Sequence, residues 1–351
     1  MADLAKRFLQ NPIITPADIS PSRLDMEVVC VMNPGVFLFD EKTWLVLRVA
    51  ERPLPKPGRV SIPVMDDHGR IKIISYPEHD PKIDCDDPRY IIYDDVYYLS
   101  TISHLMLVSS ADGVHFTEPP DYPTRHYGTD HLESYGIEDC RVTELNGSYL
   151  LTYSQVSAHG VGVGLMQTKD WKSFDKTGMA FLPTNKDCAI FGEKIDNKYF
   201  CFSRPSSSII GGHYIWLSSS PDLAHWGDHY CLLKSRPGMW DSERVGAGAA
   251  PIRTKEGWLA IYHGADETDR YCLGAILLDL KDPRRIIARS DEPIMEPIME
   301  YERAGFFGNV IFSTGHLVNG DIITMYYGAS DMVVCMANLS IQEILDTLSV
   351  Q

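Results

Sequence analysis

Paired cysteines are missing from this chain. Its eight cysteines, at positions 30, 85, 140, 188, 201, 231, 272 and 335, form no Cys-x-x-Cys pair, and no histidines stand at ligand spacing. A zinc site is therefore not expected, and no metal is assigned. Basic charge is scarce too: 32 Lys and Arg face 48 Asp and Glu, a formal net charge of -16. Nucleic acid and anionic membrane surfaces are held by clustered Lys and Arg, so neither is an expected partner. No run approaches the roughly 18 apolar residues of a membrane-spanning helix. Residues 1–10 lack the apolar stretch of a secretory signal, and reduced thiols in a cytoplasm fit best. No long Gly/Ser-rich linker divides the sequence, so residues 1–351 read as one domain. With 44% hydrophobic and 23% charged residues, it can bury a sizeable core.

What the chain has is a pattern repeated with variation. Ser110-Ala111-Asp112-Gly113-Val114-His115-Phe116, Thr168-Lys169-Asp170-Trp171-Lys172-Ser173-Phe174 and Ser220-Pro221-Asp222-Leu223-Ala224-His225-Trp226 each place an aromatic four residues after an Asp. That is the signature of one outer-strand turn recurring in successive β-sheet units, and the aromatics read as core rather than sugar platforms. Between these turns, strand pairs are predicted at 36–39 with 44–49, 90–93 with 96–100, 141–145 with 148–153, 190–195 with 199–203, 250–253 with 258–263, and 310–312 with 322–328. The count is six units spaced by roughly 50 to 60 residues, which suits four-stranded propeller blades. The second pair, with the Pro-rich stretch 53–57, also reads as an insertion in a single blade. Short helices are expected at 2–10 and at 341–348, the latter capped by Ser340.

In a propeller, residues opening the inner strands converge on a central pocket. Here those residues include Asn33, Asp87, Glu138, Asp139, Arg141, Lys186 and the Val245-Gly246-Ala247-Gly248 run. Neighbouring strands add Arg48, Arg204, Tyr262, His263 and Asp331. Carboxylates mixed with bases suggest sugar chemistry. An inverting glycosidase needs an acid and a separate base for water, whereas an inverting phosphorylase needs only the acid and a cationic cradle for phosphate. Arg48, Arg141, Lys186, Arg204 and His263 are the candidate phosphate donors, and Asn33, Asp87, Glu138, Tyr262 and Asp331 the candidate sugar-binding residues.

Gly136-Ile137-Glu138-Asp139-Cys140-Arg141, Phe191-Gly192-Glu193-Lys194-Ile195, Ser203-Arg204-Pro205, Val245-Gly246-Ala247-Gly248, the 256–264 run and Tyr326-Tyr327-Gly328-Ala329-Ser330-Asp331, with Lys186, resemble glycoside hydrolase family 130 from about residue 33 onward. The resemblance implies an all-β, five-bladed β-propeller with short terminal helices, so five blades rather than six. It implies an inverting, glycosyltransferase-type mannoside phosphorylase, with no cofactor and with inorganic phosphate as co-substrate. Asp139 matches the family's proton donor, which acts on the leaving oxygen through a hydroxyl of the donor sugar. Cys140, Gly192 and Ser203 depart from the family's Pro, Pro and His. The 84–116 segment and Ser154-Gln155-Val156-Ser157 look closest to the subgroup acting on β-1,2-mannobiose or short oligomannan. Two alternatives stay open: a β-mannosidase using water, with Glu193 or Glu243 as base, and a non-catalytic glycan-binding propeller. Self-association into a homo-oligomer is left open as well, and Asp87 stands next in line as acid.

Overall fold

The computed structural model describes residues 3–66, 69–207 and 209–350, and strand dominates them. The α-helices among the described residues are Glu300–Arg303 and Ile341–Asp346. The strands fall into antiparallel groups of four, each a meander in which neighbours in sequence pair. Gly136–Leu145, Ser148–Ser157, Gly160–Thr168 and Asp175–Phe181 form one such run, and Asn185–Ile190, Tyr199–Pro205, Ile215–Ser220 and Gly227–Leu233 the next. Arg244–Ala247, Trp258–Ala265, Tyr271–Leu278 and Ile286–Ser290 follow, then Ile311–Asn319, Ile322–Ala329 and Val333–Ser340, whose fourth strand is Lys6–Arg7 from early in the chain. At the start of the chain, Met26–Phe39, Lys42–Pro53, Ile102–Ser110 and Arg125–His126 make a further group. A parallel pair, Gly136 with Ser103, joins it to the Gly136–Leu145 group in one eight-stranded sheet.

The predicted pair at 90–93 and 96–100 exists, but Tyr90–Tyr93 and Val96–Leu99 lie in a separate small sheet with Ile83–Asp84. With the Arg59–Met65 and Ile71–Pro77 hairpin, that sheet is an insertion between Lys42–Pro53 and Ile102–Ser110, so the count of six is corrected. The 250–253 strand shrinks to Ile252–Arg253, because Arg244–Ala247 takes the leading position against Trp258–Ala265.

The terminal expectations split. No helix forms in the described part of 2–10; Lys6–Arg7 instead pair as a strand with Asn338 and Ala337. A helix this short is marginal in isolation, while the sheet edge offers backbone partners and Glu302 receives Arg7 Nε at 2.6 Å. At the other end Ser340 Oγ accepts from the Glu343 amide at 3.1 Å, as a cap should. That helix ends at Asp346, and Leu348–Val350 pair with Ala288, Arg289 and Ser290.

The three repeated turns are built alike. Asp112, Asp170 and Asp222 each accept two backbone amides through Oδ1, from Val114 and His115, Lys172 and Ser173, and Ala224 and His225. The preceding hydroxyls of Ser110, Thr168 and Ser220 accept from the amides of Gly113, Trp171 and Leu223. Local hydrogen bonds of this kind fix a turn from sequence alone.

A second repeat is tertiary. Tyr153, Tyr262 and Tyr327 donate to fully buried carboxylates on the connection entering their sheet: Glu133 at 2.9 Å, Asp241 at 2.9 Å and Glu302 at 2.8 Å. Each carboxylate also takes a cation from an outer strand, namely Lys176, Arg289 and Arg7. A buried carboxylate needs such partners to offset its lost hydration.

Three leading strands carry a bulge, with register shifts at Met32/Gly35, Glu138/Arg141 and Lys186/Ala189. At each bulge one residue adopts a left-handed backbone: Asn33 at φ 46°, Asp139 at 51° and Asp187 at 54°. Asn and Asp tolerate this conformation better than other side-chain-bearing residues, and a bulge re-aims the side chain it carries.

Candidate active site

The bulges aim their side chains at one cavity of about 310 Å³. Asn33 Nδ2 donates to Asp139 Oδ1 at 2.8 Å, and Arg48 Nη1 reaches the same oxygen at 3.2 Å. Arg48 Nη2 binds Glu138 Oε1 at 2.8 Å, and its Nε reaches Ser103 Oγ at 3.1 Å. Burial pushes the Asp139 carboxyl up, but Arg48, the Asn33 amide, Arg141 and Lys186 outweigh it and hold the group below the usual carboxylate range. Asp331 lines the same cavity, also at a left-handed φ of 49°. There burial wins over Arg48, with Asp139 adding like-charge repulsion, and the carboxyl is pushed up to about 6.

Lys186, Arg204, His213 and Arg244 line the same cavity. Arg204 Nε stands 2.7 Å from Asp187 Oδ2, and Arg244 Nη1 donates to Tyr271 Oη at 2.8 Å. Burial lowers the Lys186 ammonium, and Arg204 lowers it further. His213 is lowered by burial, then by Arg204, Arg244 and Lys186. A lysine and a histidine lowered by neighbouring cations mark a site that favours an anion, since a negative charge there relieves that repulsion.

Four of the residues expected at the site lie off this cavity. Arg141 spends its guanidinium on protein: Nε on the Gly248 carbonyl, Nη1 on the Asp139 carbonyl, and Nη2 on the Ala247 carbonyl and Asp187 Oδ1, all at 2.9 to 3.1 Å. It braces the Asp139 bulge from behind. His263 is fully buried, its Nε2 3.4 Å from Asp187 Oδ2 and its ring centroid 4.3 Å from that of Phe312. Burial lowers it to about 4, so it is neutral at physiological pH. A Cβ on Gly246 would collide with His263 and Asp187, which is why that strand needs glycine there. Tyr262 belongs to the Asp241 and Arg289 cluster. Asp87 clasps Arg89 outside the cavity, and Arg89 is the member of Asp87-Pro88-Arg89 that lines it. Glu193 pairs with Arg253 at the surface at 2.8 Å, and Glu243 lines a different cavity.

The comparisons with known proteins point to one family. A family model described as beta-1,4-mannooligosaccharide phosphorylase matches residues 88–350. The beta-1,2-mannobiose phosphorylase of Listeria innocua is 42% identical over 354 residues, covering 98% of each chain. The chain belongs to glycoside hydrolase family 130. A solved structure of a beta-1,2-mannobiose phosphorylase from Listeria innocua, in complex with beta-1,2-mannobiose, superposes with a TM-score of 0.94 at 41% identity, covering 98% of both chains. A 1,2-beta-oligomannan phosphorylase from a Thermoanaerobacter species is 38% identical over 250 residues, 70% of this chain and 82% of its own.

Sequence reasoning on this family 130 chain therefore found Asn33, Arg48, Glu138, Asp139, Lys186, Arg204 and Asp331 together in one cavity. It missed His213, Arg244, Tyr271 and Phe307. A faint signal existed for two of them: His213 follows Gly211-Gly212, and Arg244 immediately precedes the Val245-to-Gly248 run.

Proposed function

We propose that this chain is an inverting phosphorylase of β-mannosides, acting on β-1,2-mannobiose or short β-1,2-oligomannan. The observation that carries the reading is one cavity lined both by Asp139 and by the bases Lys186, Arg204, His213 and Arg244. The relatives at 42% and 38% identity favour the β-1,2 linkage over the β-1,4 linkage in the family model's description. The same resemblance supports a five-bladed propeller fold within one domain of residues 1–351. It fits the cyclic contacts among groups, where Met26–Phe39 touches both Gly136–Leu145 and Ile311–Asn319. A cytoplasmic setting suits the eight free cysteines.

In this reading Asn33, Glu138 and Asp331 hold the mannosyl unit together with Arg48, expected from the sequence as a phosphate donor but bound here to Glu138 and Asp139, and Lys186, Arg204, His213 and Arg244 hold phosphate. A phosphate oxygen attacks C1 from the face opposite the leaving oxygen. The C1–O bond breaks as the new bond forms, inverting the anomeric centre, and the proton of Asp139 reaches the leaving oxygen through a sugar hydroxyl. The products are α-mannose 1-phosphate and a sugar one unit shorter. Phosphate charge near Lys186 offsets the cations that lower Asp139, and so favours its protonated form. A phosphorylase needs no carboxylate base, because phosphate replaces water as nucleophile.

The test is turnover of β-1,2-mannobiose with and without phosphate. Release of mannose 1-phosphate that requires phosphate is expected; equal sugar release in phosphate-free buffer would overturn the proposal in favour of hydrolysis.

A further inference from the structure

The cavity has a neighbour. A second hollow of about 220 Å³ is lined by Arg52, Arg59, Asp87 and Ser100 among others, and the two share Tyr90. Between them stands one ion pair. Arg89 faces the first cavity and Asp87 the second, and they bind through two contacts, Nε to Oδ1 at 3.0 Å and Nη2 to Oδ2 at 2.7 Å. The Arg89 guanidinium also lies 4.6 Å from the ring centroid of Phe307, which comes from the connection before Ile311–Asn319. Its backbone is pinned as well: the Ser100 amide donates to the Arg89 carbonyl at 3.0 Å, and Ser100 Oγ to the Pro88 carbonyl at 2.6 Å.

This pair is exposed enough that its Coulomb energy alone is small. What it supplies is shape. A guanidinium held flat by a bidentate carboxylate and stacked on an aromatic face has little freedom left, so it acts as a wall. The anchored Asp139 and Asn33 lie at the buried end of the first cavity, whereas Tyr90 is 38% exposed. A saccharide with its terminal unit at Asp139 therefore extends toward Arg89.

We propose that Arg89, clasped by Asp87 and stacked on Phe307, is a chain-length partition: it closes the leaving-group side of the cavity after a disaccharide and separates it from a hollow that would take a third sugar. The inference rests on the mannoside phosphorylase reading and adds to it which substrate length the insertion selects. Opening the partition joins the two hollows, and Tyr90, common to both, gives the third unit an aromatic surface to lie on.

The experiment compares β-1,2-mannobiose with β-1,2-mannotriose for wild type, Arg89→Ala and Phe307→Ala, reading kcat/KM in phosphorolysis, the KM for phosphate, and calorimetric affinity for each sugar. Wild type should prefer the disaccharide. Arg89→Ala should raise the triose-to-biose ratio at least tenfold, Phe307→Ala should move it the same way by less, and neither should change the phosphate KM more than about twofold. An unchanged ratio in folded Arg89→Ala overturns the partition, and so does a rise in phosphate KM with no change in ratio, which would make Arg89 an anion donor. Phosphate dependence of the wild type tests the reaction separately, and the affinity ratio reports on the partition even if that reaction fails.

Discussion

Asp139 and Asp187 stand at the same bulge in neighbouring groups of strands, each at a left-handed φ and each one residue after a charged partner, Glu138 in one case and Lys186 in the other. Their surroundings diverge. Asp139 meets one guanidinium and one amide, and keeps 8% of its side chain exposed. Asp187 meets Arg141 at 3.1 Å, Arg204 at 2.7 Å and His263 at 3.4 Å, with 1% exposed. Burial raises the Asp187 carboxyl, but Arg204, His263 and Arg141 overcome it and hold the group well below the usual range. The lesson is that one backbone device yields two jobs. With few partners the carboxylate stays available to a ligand; with many it becomes an anchor that sets the cations in place. The Glu138 and Lys186 difference acts with it, setting an acid beside one bulge and a base beside the other.

The sharpest test of the contrast is Asp139→Asn. If Asp139 is the acid, kcat should fall by roughly 10²- to 10⁴-fold while the melting temperature stays near wild type. A donor with an activated leaving group, such as a nitrophenyl mannoside, should recover much of that loss. An Asn variant as active as wild type on mannobiose would remove Asp139 from the role.

Asp187→Asn should behave in the opposite way. Leaving Arg141 and Arg204 without their buried counter-charge should cost about 3–5 kcal/mol of stability, read by chemical denaturation. The pH dependence follows from the sign of the shift. Because the folded carboxyl is depressed, its stabilisation is present above the ordinary value of 3.8 and is lost as pH falls through and below it. Wild type should therefore lose stability steeply below about pH 4, and the variant should show a flatter acid limb. A variant as stable as wild type would reduce Asp187 to a bystander.

Lys186→Ala should be milder. The expected effect is a rise in phosphate KM of about 10- to 100-fold, in line with the 1.5–3 kcal/mol of a charge-assisted hydrogen bond, with mannobiose KM nearly unchanged. Equal loss for both substrates would place Lys186 on the sugar side.

The smallest effect belongs to Asp331, whose carboxyl is pushed up to about 6 by burial. Below that pH it holds its proton; above it, in the proposed reading, it is an anionic acceptor for sugar hydroxyls. On mannobiose, kcat/KM should climb between pH 5 and 7, and Asp331→Asn should flatten that limb. A limb that persists in the Asn variant assigns the titration to another group.

The three Ser/Thr-Asp turns and the cap of the C-terminal helix were legible in the sequence because their hydrogen bonds span only a few residues, and the hairpins because short turns join their strands. Asp139 was legible because its Gly136-to-Arg141 motif resembles a family signature. Only the tertiary structure decided which bases face the cavity. Arg141 reaches the Gly248 carbonyl across 107 positions, His263 meets Asp187 across a sheet boundary, and Tyr262 is bound by Asp241 and Arg289. A guanidinium or imidazole on an inner strand looks the same in sequence whether it greets a ligand or a buried carboxylate. Which it does depends on the partner that packing brings beside it, and that partner is set by which sheets pack against one another, not by the residue's own neighbours in the chain.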